Sequence, residues 1–198
     1  MLQAHVKITG TDALLLNNPQ TVDRFNPYAQ RMSRINKKGT RRTDDDYMEM
    51  RDIEIEAKIY WDDALGIYVP TTWLTAAIAA NSFSTIKLSK AGVRGSVFAV
   101  EKKAKLTYQG MGNVKTPVDI IKNGDFHKKL TLVQAKARVI KMAPIFHNWS
   151  FETMLEFDDK TIDPSSLTHV VKHAARYGGF GDFRPTFGRA TAEVSTDV

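Results

Sequence analysis

The sequence predicts an α+β domain of the ferredoxin-like (RRM-like) split βαβ type, with a large basic insertion after its first strand. Three observations predict it. Segments with period-two apolar alternation begin the chain and recur through it, two helices carry clear start signals, and the elements run strand, helix, strand, strand, helix, strand once insertions at about 17–60 and 84–129 are set aside. Residues 1–198 are expected to form this single domain. At 198 residues and 42% hydrophobic composition the chain can bury a substantial core, and it contains no internal repeat, low-complexity tract or long linker.

The first strand falls in His5–Asn18, where alternation leads into Ala13, Leu14, Leu15 and Leu16. Residues 17–43 then form a basic insertion. Asp44, Asp45 and Asp46 follow as acids suited to a helix N-terminus, predicting a helix to about Tyr60, although the spacing of Ile53, Ile55, Ala57 and Ile59 equally suits a strand. Gly66–Pro70 reads as a short extended segment. The next helix starts at Thr71 or Thr72 and carries Leu74, Ala77, Ile78 and Asn81 at helical spacing. Gly95–Tyr108 reads as extended. Leu130–Phe146, with Val133, Ala135, Ala137 and Val139 alternating, and Asn148–Asp159 predict a strand pair turning near Pro144–Asn148. The last helix has Asp163 as cap, Pro164 at its first position, an apolar stripe of Leu167, Val170, Val171, Ala174 and Ala175, and Gly178 as its stop. Ala190–Val194 closes as a strand.

Composition narrows the function classes. Lys plus Arg number 28 against 22 for Asp plus Glu, a net charge of +6, which favours polyanionic partners. With no cysteine, disulfides and thiolate zinc sites are excluded, and a reducing compartment is the simpler expectation. No apolar run approaches the roughly 20 residues of a membrane span. A cytoplasmic protein with no membrane partner is therefore expected.

Two segments carry the chemistry. In the insertion, Arg24, Arg31, Arg34, Lys37, Lys38, Arg41 and Arg42 interleave with Phe25 and Tyr28, a composition able to follow a nucleic-acid backbone or to form a solvated loop. Near the C-terminus, "RYGGFGDFRPTFGRA" (176–190) sets Gly178, Gly179 and Gly181 where the backbone can approach a partner closely. There Arg184 and Arg189 would hold phosphates and Phe180 or Phe183 would stack on bases; the alternative is a helix C-cap followed by a turn with buried rings. Its glycines follow a helix and precede a strand, the reverse of a dinucleotide fingerprint, and Gly-Lys-Ser/Thr is absent, so neither a nicotinamide site nor a phosphate loop is expected. His169 and His173 lie one helical turn apart, but Val170 stands where a zinc hydrolase has glutamate, and the apolar stripe predicts both imidazoles outward. The Asp44–Asp46 cluster reads as helix capping ahead of Mg²⁺ binding. No catalytic residue, metal or cofactor is assigned.

Three features together resemble the repeat-associated mysterious protein (RAMP) superfamily, the ferredoxin-like subunits of CRISPR effector complexes. They are "ITGTDALLLNNP", an opening strand running into a loop; "IYVPTTWLTAAIAA", a strand end leading into an Ala-rich helix; and "GGFGDFRPTFGRA", a glycine-rich loop before the final strand. The chain is also similar to uncharacterised bacteriophage proteins of that shape. Phe187-Gly188-Arg189-Ala190 departs from the family's Gly-hydrophobic-Gly ending, and no residue matches its nuclease motifs. The resemblance implies a non-catalytic scaffold for single-stranded RNA or DNA, self-associating along its ligand, with residues 17–43 as a thumb. It leaves two alternatives: an interaction protein that mimics or inhibits a CRISPR effector subunit, and a metal-independent ribonuclease.

Overall fold

The computed structural model describes residues 1–134 and 137–196; Ala135, part of one expected strand, lies outside them. The fold is mixed α+β with antiparallel sheets, and the chain divides into two compact units, residues 1–14, 62–111 and 146–198 in the first and 15–61 and 112–145 in the second. In chain order the elements are β1 (Leu2–Gly10), β2 (Leu14–Leu15), α1 (Pro27–Asn36), α2 (Asp44–Lys58), β3 (Trp61–Asp62), β4 (Gly66–Pro70), α3 (Thr72–Ile86), α4 (Lys90–Ser96), β5 (Val97–Ala99), β6 (Lys103–Lys105), α5 (Pro117–Lys122), β7 (His127–Gln134), β8 (Ala137–Phe146), β9 (Ser150–Phe157), α6 (Pro164–His173) and β10 (Ala190–Thr196). Among the described residues no helix is long and apolar enough to cross a membrane.

The first unit is built on a four-stranded sheet in the order β10-β1-β9-β5, with every neighbouring pair antiparallel. Alternation gives the sheet two unlike faces. Ala4, Val6 and Ile8 of β1 are buried, as are Phe151, Leu155 and Phe157 of β9. Above this core α3 and α6 pack on each other, and α6 on β10. The start of α6 follows the expected signals: Asp163 accepts from the Ser166 amide at 3.0 Å and Pro164 takes the first position. At α3 Thr71 is the N-cap residue, one of the two threonines expected, but its hydroxyl makes no capping bond and donates instead to the Glu101 carbonyl at 2.6 Å.

Trp149 sets the geometry at one end of this sheet. Its buried indole lies 6.1 Å from the Phe151 ring, stacked, and 6.2 Å from Phe180, edge to face. A Cβ on Gly10 would fall 2.2 Å from the indole nitrogen, so a glycine there is what makes room for the ring. The same nitrogen donates to the Asp12 carbonyl at 2.7 Å, and the Gly10 amide to the Trp149 carbonyl at 2.8 Å.

The second unit contains the basic insertion, and part of it is helical. Asn26 accepts from the Tyr28 amide at 2.9 Å, and Pro27 at the first position starts α1. The competing helix and strand readings of 44–60 resolve as α2. Ile53 and Ala57 share one side of that helix and Ile55 lies opposite, all buried, because α2 is covered by α1, α5 and the turn at Pro19–Val22. The turn closes the helix end: Gln20 Nε2 donates to the Ala57 carbonyl at 2.7 Å, and the Asn18 amide to that of Lys58 at 3.1 Å.

The strands after Pro117 differ from expectation. Leu130–Phe146 is not one strand paired with Asn148–Asp159; β7 and β8 form a hairpin with each other, and β9 joins β1 and β5. In that hairpin the Glu54 carboxylate accepts from the Met142 amide at 3.0 Å, and Lys58 donates to the Met142 carbonyl. Helix side chains thus satisfy a strand edge that a neighbouring strand would otherwise cover. Gly95–Tyr108 is likewise not one extended run, since α4 ends at Ser96 and two short strands, β5 and β6, follow. Of the expected 84–129 insertion, 84–111 belongs to the first unit and 112–129 to the second.

Trp149→Ala is expected to destabilise the protein by about 3–5 kcal/mol through the cavity left among Gly10, Phe151 and Phe180. Thermal or denaturant unfolding measures it, and a loss below about 1 kcal/mol contradicts the packing described.

Candidate nucleic-acid interface

The glycine-rich loop is a folded structure tied to the residues that follow β1. Gly179, Gly181 and Gly188 have φ of 68°, 73° and 76°, and Phe183 also has a positive φ, 55°. The Phe180 amide donates to the Gly188 carbonyl at 2.8 Å, the Gly188 amide to that of Ala13 at 2.9 Å, and the Thr11 amide to that of Arg189 at 2.8 Å. A Cβ on Gly188 would lie 1.8 Å from the Phe180 carbonyl oxygen, so this crossing admits glycine alone without a backbone shift. "ITGTDALLLNNP" and "GGFGDFRPTFGRA" therefore meet through Gly10–Ala13 and Gly188–Arg189.

This clasp redistributes the expected contact residues. Phe180 is 0% exposed and its ring lies 5.5 Å from that of Phe151, edge to face; it is a core residue and cannot stack on a base, which corrects that expectation. Phe183 is half-buried, and Arg184 is exposed without an acidic partner among the described residues. Arg189 is exposed but its Nε donates to Asp12 Oδ2 at 2.7 Å, so its charge is already opposed. Asp182 adds a second carboxylate to the loop. The result is a corner tied by backbone hydrogen bonds, with Arg184 and Arg176 lacking acidic partners among the described residues and Arg176 lying 5.6 Å from the centre of the Tyr177 ring.

The insertion divides its cations into two sets. Arg31 pairs with Glu56 at 3.2 Å and Glu49 at 3.9 Å, and Lys38 pairs with Asp46; these hold α1 and the turn after it to α2. Arg42 donates to the Gly39 carbonyl at 2.9 Å and lies 5.5 Å from the centre of the Tyr47 ring. Tyr28 is also turned inward, its hydroxyl 3.4 Å from Glu56, and partial burial followed by that carboxylate raises its pKa. Arg34, Lys37 and Arg41, spaced at three and four residues, are exposed and have no such partner among the described residues. Beside them in sequence, the Arg24 guanidinium sits 4.9 Å from the Phe25 ring centre, and Phe25 is 70% exposed. The insertion thus leaves one exposed ring beside a cation, and three further cations without acidic partners among the described residues; such groups can stack on a base or hold a phosphate.

The acid cluster caps α2. The Thr43 hydroxyl accepts from the Asp46 amide at 3.3 Å, and Asp46 Oδ2 accepts from the Thr43 amide at 2.9 Å. The hydrogen bond from Lys38, then that from the Thr43 amide, holds the Asp46 carboxyl below its usual range. No group of three or more potential metal-ligating side chains occurs among the described residues. His169 is exposed as expected. His173 is not turned fully outward: it is half-buried 4.7 Å from the Tyr177 ring, and its Nδ1 is buried without a hydrogen-bond partner.

The uncovered face of the four-stranded sheet has a different character. His5 and Lys7 on β1 reach Glu152 at 3.3 and 3.4 Å, and Lys7 is also opposite Glu193 in register. Gln3 donates to Glu156 at 3.0 Å. Acids equal or exceed cations here, and its rings are the His5 imidazole, already against Glu152, and the exposed Phe98 of the edge strand β5, opposite Glu156 in register; the central strands bring it no Phe, Tyr or Trp.

Compared with protein-family models and with curated proteins, the chain matches none.

Two outcomes follow. Gly188→Ala is expected to cost at least about 2 kcal/mol, since a Cβ there meets a backbone oxygen in a positive-φ position, read as a lowered unfolding midpoint. Because the Asp46 pKa is depressed on folding, its stabilising contribution is complete above the ordinary carboxylate pKa of about 4 and is lost as pH falls through the lower folded value. Asp46→Asn should therefore flatten the acid limb of melting temperature against pH, and an unchanged limb would rule out this capping role.

Proposed function

We propose that the protein is a non-catalytic scaffold for single-stranded nucleic acid, carried by a ferredoxin-like core of the RAMP kind. The strand order supports the core: with β1, β5, β9 and β10 counted first to fourth along the chain, they stand across the sheet as fourth, first, third, second, all antiparallel, with α3 between the first two in sequence and α6 between the last two. The observation that carries the binding function is the division of cations in the insertion. Arg31 and Lys38 are used internally, whereas Arg34, Lys37 and Arg41 remain for phosphates and Phe25 for a base. In the first unit Arg184 of the glycine-rich loop is a separate candidate phosphate contact. Arg189 contributes less than its charge suggests, because a phosphate must compete with Asp12 for it.

Such a surface reads charge and ring faces rather than base edges, so binding is expected to be tolerant of sequence and steeply dependent on salt. Several copies are expected to add along a long strand. The reading assigns no hydrolytic step, and labelled RNA incubated in chelator should remain intact.

The test is a titration of labelled oligouridylate and oligothymidylate at several salt concentrations. Replacing Arg34, Lys37 and Arg41 together by alanine should lower affinity for both ligands and reduce the slope of log K against log salt by about 2, taking ~0.7 per phosphate. Phe25→Ala should cost about 1–3 kcal/mol with little change in that slope. Salt-independent binding, or a triple variant that binds like the parent, would sink the proposal.

A further inference from the structure

β5 is an edge strand, bonded to β9 and to no second strand. The Val100 amide donates to the Met154 carbonyl and the Asp158 amide to the Ser96 carbonyl, each at 2.9 Å. Residues 96, 98 and 100 therefore turn their backbone groups to β9, and Val97 and Ala99 turn theirs away from it. The Val97 amide is taken by the Val93 carbonyl at the end of α4. The Val97 carbonyl and both backbone groups of Ala99 bond nothing among the described residues.

Beside this edge runs a groove of about 380 Å³, walled by Thr72 and Ala76 of α3 and lined at its base by the buried Val93 and Val97. Arg94 and Lys102 also line it, exposed and without acidic partners among the described residues. The acid of the lining, Glu101, points its carboxylate elsewhere, accepting from the Thr153 hydroxyl at 3.2 Å and the Met154 amide at 3.4 Å. The groove is thus apolar in its floor and positive in its unopposed charge.

We infer that the β5 edge receives an extended peptide segment of a partner protein, added as a fifth strand, with an apolar side chain in the groove and acidic side chains against Arg94 and Lys102. Unused backbone groups supply affinity in strand addition, and pockets for alternate side chains supply specificity. The groove's volume is near the lower end for ligand sites and suits a few side chains. Charge decides the occupant. Two β5 edges from copies of this chain would bring like charges together, which opposes pairing, whereas an acid-bearing strand is attracted. A nucleic acid offers no alternating amides and carbonyls for the Ala99 edge. The inference is independent of the nucleic-acid surface proposed above, because it uses none of the same residues.

The experiment titrates the full chain, by fluorescence anisotropy, with the labelled peptide Thr-Glu-Thr-Val-Thr-Glu-Thr. In a strand this sequence places both glutamates and the valine on one face. Its controls are the same peptide with lysine for glutamate, and two versions N-methylated at alternate residues, one in each phase. Saturable binding of the acidic peptide is expected, weaker by about tenfold or more for the lysine version, abolished by N-methylation in one phase and retained in the other. The exposed double variant Arg94→Glu, Lys102→Glu should reverse the preference between acidic and lysine peptides while keeping the parent's circular dichroism. Absence of saturable binding, equal effects of the two N-methylation phases, or an unchanged preference in the double variant would each overturn the inference. So would displacement of the peptide by oligouridylate or by excess unlabelled protein, which would assign the edge to nucleic acid or to a second copy.

Discussion

Where Gly10 lacks a side chain, the Trp149 indole occupies the space, and the first unit is organised around that contact. The ring packs against Phe151 of the adjoining strand and Phe180 of the glycine-rich loop, while its nitrogen holds the Asp12 carbonyl. One side chain thereby connects the sheet end, the loop that follows β1 and the loop that precedes β10. Gly188 completes the connection by letting the chain cross Phe180 at a distance that a methyl group would prevent. Burial of three aromatic rings offsets the conformational entropy lost by two irregular loops.

That constraint shapes what the glycine-rich loop can offer a ligand. Its glycines serve the protein's own backbone crossings, and one of its phenylalanines serves the core. What remains outward is Arg184, the half-buried Phe183 and an arginine already paired with Asp12. The basic insertion resolves in a parallel way: acids on α2 neutralise Arg31 and Lys38, and that pairing holds the helices in the arrangement that leaves Arg34, Lys37 and Arg41 outward. In each unit the residues that build the surface and those free to use it are different members of one basic set.

The caps and stripes were legible because they are local. Asp163-Pro164 and the apolar positions of α6 identify that helix within a dozen residues. Asn26-Pro27 carried the same kind of signal for α1, yet the density of charge around it favours a loop reading. The pairing of β7 with β8 was hidden for a different reason: alternation continues from one strand's sequence into the next, so a continuous period of two describes one long strand and two paired strands equally well. Helix α2 was ambiguous because packing on opposite sides buries Ile53, Ile55 and Ala57 together, which imitates the period of a strand.

By itself the sequence determined the mixed α+β class, the two best-signalled helices and the basic excess, all properties of composition or of neighbours along the chain. Tertiary structure alone decided that Phe180 is core, that Asp12 holds Arg189, that the acids of α2 claim some insertion cations and spare others, and that β5 is left as an open edge. Those outcomes depend on which distant segments meet, and charge, burial and hydrogen bonding act through distances in space that spacing along a chain does not encode.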